Sequence, residues 1–338
     1  MRKATILFLA LACVAFFAAQ SARSQFRRHH LMLIVSKGLP GVTIYDADSE
    51  DVVCRAKTEV SPHEAAFSID GHTAFVPIYG SSSVGQPGTN EHYIHFISTS
   101  DCKDNYVLDT GRDQRLHGIV IGISGNIYVT AETSKSVLVV NSDTHKVTAR
   151  IPTGSEYSRM LVITRDEAKA YVSNVASKTL SVLDIPGRKL SQQIPTNSEN
   201  QRVALSPDQH WLVTNLGPDH KVAFYRTADN QLDFSIPVDG VPFTAKFASS
   251  DTLFAAGTQD GKNRVWKIDP RQKKVLATTT DELGTSVGSL AVNPFNGLIY
   301  VSDQDSSKVA EVNPATMKVE KRIYANKTPD CIVFKEVQ

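Results

Sequence analysis

The sequence predicts an all-β fold, a seven-bladed β-propeller of four-stranded blades, and three observations predict it. A strand-like segment recurs seven times: "LMLIVSKG" at 31, "TAFVPIYG" at 73, "NIYVTAETS" at 126, "KAYVSNVAS" at 169, "HWLVTNLGP" at 210, "TLFAAGTQD" at 252 and "LIYVSDQDS" at 298. Each copy is followed by further β-rich runs, and from the second copy on it is preceded by a shorter apolar one. Helical periodicity is absent, so an α/β reading fails.

The runs of a unit differ as their places in a blade require. The short leading runs ("EAAFS", "GIVIG", "MLVIT", "RVALS", "TAKFA", "SLAVN") read as the strands nearest the axis, where neighbouring blades sandwich both faces. The third and fourth runs, such as "SVLVVNSDT" and "KVTARIPTG", alternate more and carry Lys and Arg, as strands nearer solvent do. Gly, Asn, Asp and Pro turns separate them. The first copy lacks a leading run, and the C-terminal "DCIVFKEV" matches the missing strand. The C-terminus is therefore expected to pair with "LMLIVSKG" in blade one, which removes a free sheet edge and closes the ring.

The chain opens with "MRKATILFLALACVAFFAAQSARSQ", a basic start, an apolar run and small residues. That build predicts a signal peptide over residues 1–24 and a propeller over 25–338, placed in the periplasm or secreted. The apolar run is shorter than the roughly 20 residues that span a bilayer, so no transmembrane segment is expected after its removal. The formal charge is +1, and losing Arg2, Lys3 and Arg23 takes it to −2. No basic block remains to serve a nucleic-acid partner. Cys54 and Cys102 fall in neighbouring blades, where a bridge is geometrically open, while Cys331 reads as a buried thiol in the closing strand.

The segments "YVTAETS", "YVSNVAS", "LVTNLGP" and "YVSDQDS" resemble the YVTN repeat family of seven-bladed propellers, across essentially the whole chain after the leader. That resemblance implies the architecture and a likeness to lactonase-like and surface-layer propellers. It implies little about chemistry, because a fold hosts many functions.

Aligning the leading runs on their central apolar residue sets a column four positions earlier: His63, His117, Arg159, Gln201, Phe243, Gly288 and Asp330. The steps are 42 residues except for 54 between His63 and His117 and 45 between Phe243 and Gly288. Each begins an innermost strand, so the seven converge on one mouth of the central channel. Asp330, His63, His117, Arg159 and Gln201 form a continuous polar arc, and the next position adds Glu64 and Arg202. The extra length in blade two lies in "YGSSSVGQPGTNEHY", residues 79–93, a loop expected beside that mouth.

The expected ligand-binding set is thus His63, Glu64, His117, Glu132, Arg159, Gln201, Arg202, Asp330 and Tyr79. Three functional classes stay open: a small ligand or protein partner bound at the mouth, a hydrolase or lyase using the histidines there, and a cell-envelope interaction scaffold. His63 and His117 with Glu64, Glu132 or Asp330 are residue types that hold divalent ions. No residue is assigned to a metal, however, and no cofactor is named. No G-x-S-x-G nucleophile turn is present. His29 and His30 read as a short basic tail, and a monomer is favoured.

Overall fold

The computed structural model describes residues 29–337 apart from 82, 83 and 85, so the expected leader lies outside the described residues. Seven four-stranded antiparallel sheets form the ring. Helical structure among the described residues is one 3₁₀ turn, Gly217–Asp219. Blade one takes its inner strand, Pro329–Val337, from the C-terminus and its other three, His29–Ser36, Gly41–Asp46 and Val52–Lys57, from the start of the described chain. The closing ladder runs from His29 opposite Val337 to Ser36 opposite Pro329, as the sequence predicts. His29 and His30 are therefore strand residues, not a tail; His30 stacks on Phe295 with ring centroids 3.7 Å apart.

The core consists of seven apolar clusters, and each fills one interface between adjacent blades. This is why the repeat segment is apolar on both faces: a strand there meets a neighbour on each side. Tyr128, Tyr171 and Tyr300 of the repeat are buried in these interfaces. Burying one such aromatic side chain contributes about 1.5–3 kcal/mol, and a hydroxyl sent into an interface needs a partner. Tyr128 donates to Glu167 (2.6 Å), Tyr171 to Asn230 (3.0 Å) and Tyr300 to Glu311 (2.9 Å). Outer strands such as Lys146–Pro152 alternate exposed and half-buried residues.

One irregularity recurs and positions the channel mouth. The inner strands carry an extra residue between Leu116 and Ile119, Ser158 and Leu161, Asn200 and Val203, and Val287 and Leu290. Bulges of this kind re-aim side chains, and here each contains a residue of the column. The repeat's own hydroxyl repairs the broken ladder. Thr130 accepts from the Gly118 N–H (2.8 Å) and donates to the Arg159 carbonyl of the next blade (2.7 Å). Ser173 does the same between Met160 and Gln201, and Ser302 between Ser289 and Asp330. Blade two departs furthest. Its inner strand shrinks to Ala66–Phe67, and Pro62, which has no N–H to give, makes only an isolated bridge to Ile78.

Candidate functional site

The column converges as its register requires. The His63 and His117 rings lie 4.6 Å apart, and both pack edge-on against Tyr79 at 5.1 and 5.3 Å. Arg159 donates from Nε to Nε2 of His117 (3.4 Å) and from Nη1 to the side-chain carbonyl of Gln201. Its guanidinium lies 5.3 Å from the Phe243 ring centroid. On the other side, Nδ1 of His63 is 3.2 Å from Oδ2 of Asp330. Five consecutive blades, one to five, thereby contribute one connected arc of side chains.

Arg202 and Glu64, one position further in, form the floor. Arg202 is 4% exposed and crosses the channel axis from blade five. It meets Glu64 of blade two at 2.8 Å, Asp330 at 3.6 Å and the carbonyl of Gly288 at 3.0 Å. An ionic cluster thus spans the channel beneath the column. Glu64, expected to bind ligand, is committed to Arg202. Gly288 supplies its backbone carbonyl as an acceptor.

Glu132 and Tyr79 sit at the rim, at the end of the second strand of their blades. Tyr79 donates to Glu132 Oε2 (2.5 Å), and Arg115 pairs with Glu132 Oε1 (3.1 Å). Arg115 also holds the long loop of blade two, donating to the Gln86 carbonyl (2.6 Å) and to Asn90 Oδ1 (2.6 Å). The loop lies beside the mouth, as expected from its length and register.

Sequence reasoning missed three cations. Lys37 occupies in blade one the register that Tyr79 and Glu132 occupy in theirs, and its Nζ is 3.0 Å from Asp330 Oδ2. Comparing the second runs at that position would have found it. Lys246 stands one residue before the central Phe247, where the other blades have Ala66, Val120, Val162, Ala204, Ala291 and Val333. A lone Lys in an apolar column is a visible break. Arg115 carried no such signal, because its partners come from a loop outside the repeat.

Electrostatics follow from enclosure. Burial lowers the pKa of His63, with Asp330 opposing it. Burial lowers that of His117 much further, with His63, Arg159 and Arg202 adding to it, so this imidazole is neutral at pH 7. Burial alone would raise the Asp330 carboxyl, but Lys37, His63 and Arg202 outweigh it and hold the group well below the usual carboxylate range. Arg159 falls to about 10 through burial and the charge of Arg202. Burial also raises the Cys331 thiol well above its ordinary value.

Among the described residues, no group of three His, Cys, Asp or Glu side chains is placed to hold a metal ion. Glu64 and Glu132 are taken by Arg202 and Arg115, and Asp330 is shared among His63, Lys37 and Arg202. Away from the mouth, Cys54 and Cys102 form a disulfide between blades one and two, and Cys331 is a buried free thiol. A groove of about 480 Å³ lies at the opposite end of the ring, lined by Ile123, Arg165, Asp166 and Tyr171 among others.

Residues 117–261 match the model of the YNCE-like beta-propeller family. No curated protein sequence matches the chain significantly. Solved structures of similar fold include a putative 6-phosphogluconolactonase from Bacteroides uniformis, at 11% identity and TM-score 0.73, covering 91% of this chain and 100% of that one. The dihydro-heme d1 dehydrogenase NirN in complex with DHE is similar at 14% identity and TM-score 0.65, with 87% of this chain and 63% of that chain covered. Hydrazine synthase from Kuenenia stuttgartiensis follows at 19% identity and TM-score 0.58, covering 66% and 70%. At such identities the likeness is one of fold, including a lactonase-like propeller, and the site must speak for itself.

Proposed function

We propose that this chain is an exported propeller that binds a small ligand at the mouth of its central channel. One observation carries the reading: equivalent bulge positions of adjacent blades bring His63, His117, Arg159 and Gln201 into mutual contact over a floor closed by Arg202. A concave site with a few converging polar groups is a common form of ligand site. Export is supported by the leader-like residues 1–24 and by the disulfide between Cys54 and Cys102, a bond that persists in oxidising compartments. The test is a thermal-shift screen of metabolite mixtures against the wild type and His117→Ala, since a ligand that binds only the native state raises apparent stability. The reading expects at least one compound whose shift is lost in the variant.

A second reading, hydrolysis of an ester or lactone at the same place, has one observation in its favour. Asp330 stands 3.2 Å from Nδ1 of His63, a carboxylate–imidazole contact that orients a general base and leaves Nε2 to take a proton from water. Turnover of chromogenic esters or simple lactones by the wild type, abolished in His63→Ala, is the result this reading requires.

A further inference from the structure

We propose that the ligand of the mouth is a small anion that can only accept hydrogen bonds, of the carboxylate or phosphate class; this rests on the mouth being a binding site. The first ground is an unanswered donor. A guanidinium never accepts a hydrogen bond, so the contact from Arg159 Nε to His117 Nε2 makes that nitrogen the acceptor and puts the ring proton on Nδ1. His117 is 1% exposed, and its Nδ1 has no hydrogen-bond partner among the described residues. A buried N–H is therefore left without an acceptor, as is Nε of Arg202 on the floor below. Native interiors rarely leave such groups unanswered.

The second ground is charge. Arg159 makes no ion pair among the described residues; its partners are an imidazole, an amide and the face of Phe243. Lys246, further along the channel wall, is exposed to solvent, so water answers its charge. Lys37 and Arg202 share Asp330, and Arg202 also takes Glu64. Three cations, Arg159, Lys37 and Arg202, thus face two carboxylates, while Arg115 and Glu132 at the rim balance each other. Both imidazoles lean to the neutral form, so they add hydrogen-bonding capacity without adding charge. A neutral ligand would leave Arg159 without a counter-charge, and a cation would meet repulsion from all sides. An anion supplies acceptors to the His117 N–H and to Arg159 together, which is the stronger kind of hydrogen bond.

The experiment is calorimetric titration of the protein at fixed ionic strength with four probes of similar size: succinate, inorganic phosphate, the neutral diamide of succinate, and 1,4-diaminobutane. Succinate or phosphate is expected to bind, and whichever binds more tightly identifies the class. Affinity should fall at least tenfold in Arg159→Gln, be partly restored in Arg159→Lys, and be unchanged in Arg165→Gln on the opposite face. Circular dichroism and melting of the free variants check that they fold. If the diamide or diamine binds at the mouth at least as well as the anions, the inference falls and the binding-site reading stands. Anion binding that is indifferent to Arg159→Gln, or no binding of either anion, also overturns it. In that last case the metabolite screen with His117→Ala decides separately whether the mouth binds anything.

Discussion

His117 is the residue on which the physics of the mouth is most concentrated. It is buried, neutral, wedged between His63, Tyr79 and Arg159, and one of its ring nitrogens has no partner among the described residues. Its pKa is lowered well below 6.5 by burial, then by neighbouring positive charge. Once the chain unfolds, the imidazole titrates near 6.5. Below that pH the unfolded chain takes up a proton that the native state refuses, so stability falls as pH falls until the native-state pKa is reached. The slope approaches about 1.4 kcal/mol per pH unit for one such group. Denaturation of wild type and His117→Gln between pH 8 and 4.5 should give a stability difference that is flat above pH 7. Below about 6 the wild type should lose more per unit than the variant. Parallel curves across that range would show that His117 is not held neutral. Asp330 shifts in the same sense, but its window lies below 3.8 and does not interfere.

At the scale of the element, the decisive unit is the bulged inner strand. The repeat hydroxyl, Thr130, Ser173 or Ser302, answers the N–H left free inside its own bulge and reaches the carbonyl of the next blade. Gly118 allows that approach in blade three: a Cβ there would stand 2.6 Å from the Arg159 carbonyl oxygen. Gly118→Ala must push blades three and four apart at the point where His117 meets Arg159. It should lower stability by about 1–3 kcal/mol, as overpacking does, and weaken mouth binding in step. A variant with wild-type stability and binding would mean that the interface yields without cost. This level of structure was only partly legible in the sequence. The column from His63 to Asp330 was readable because it rides on a near-constant repeat. The bulge was not, because a one-residue slip leaves the apolar pattern intact. For the same reason the run "EAAFS" gave no sign that its strand would shorten to Ala66–Phe67.

For the whole molecule, closure from both ends and the seven interface clusters were foreseeable from the count of repeats and the orphan strand at the C-terminus. Cross-ring contacts were not, since sequence spacing says nothing about what meets on the axis. Arg202 is the clearest case. It was expected among ligand contacts, yet it links blades five, two, one and seven through Glu64, Asp330 and the Gly288 carbonyl. Lys37 was visible as an odd residue in its register, but its pairing with Asp330 was not. Removing one partner of a buried ionic cluster leaves the others uncompensated and costs about 3–5 kcal/mol. Arg202→Met should therefore lower the melting temperature by several degrees, through Glu64 and Asp330 stranded without it. A change within a degree would mean that water replaces the guanidinium freely and that the channel is open rather than floored.

One crystal structure would decide whether the mouth formed by His63, His117, Arg159 and Gln201 is where this propeller binds its ligand. The protein would be crystallised with the compound that stabilises it most in the thermal screen. Density is expected over the Arg202 floor, with an acceptor atom within about 3.2 Å of His117 Nδ1 or Arg159. A compound seated in the groove beside Ile123 and Tyr171 at the opposite end, with the mouth empty, would contradict it.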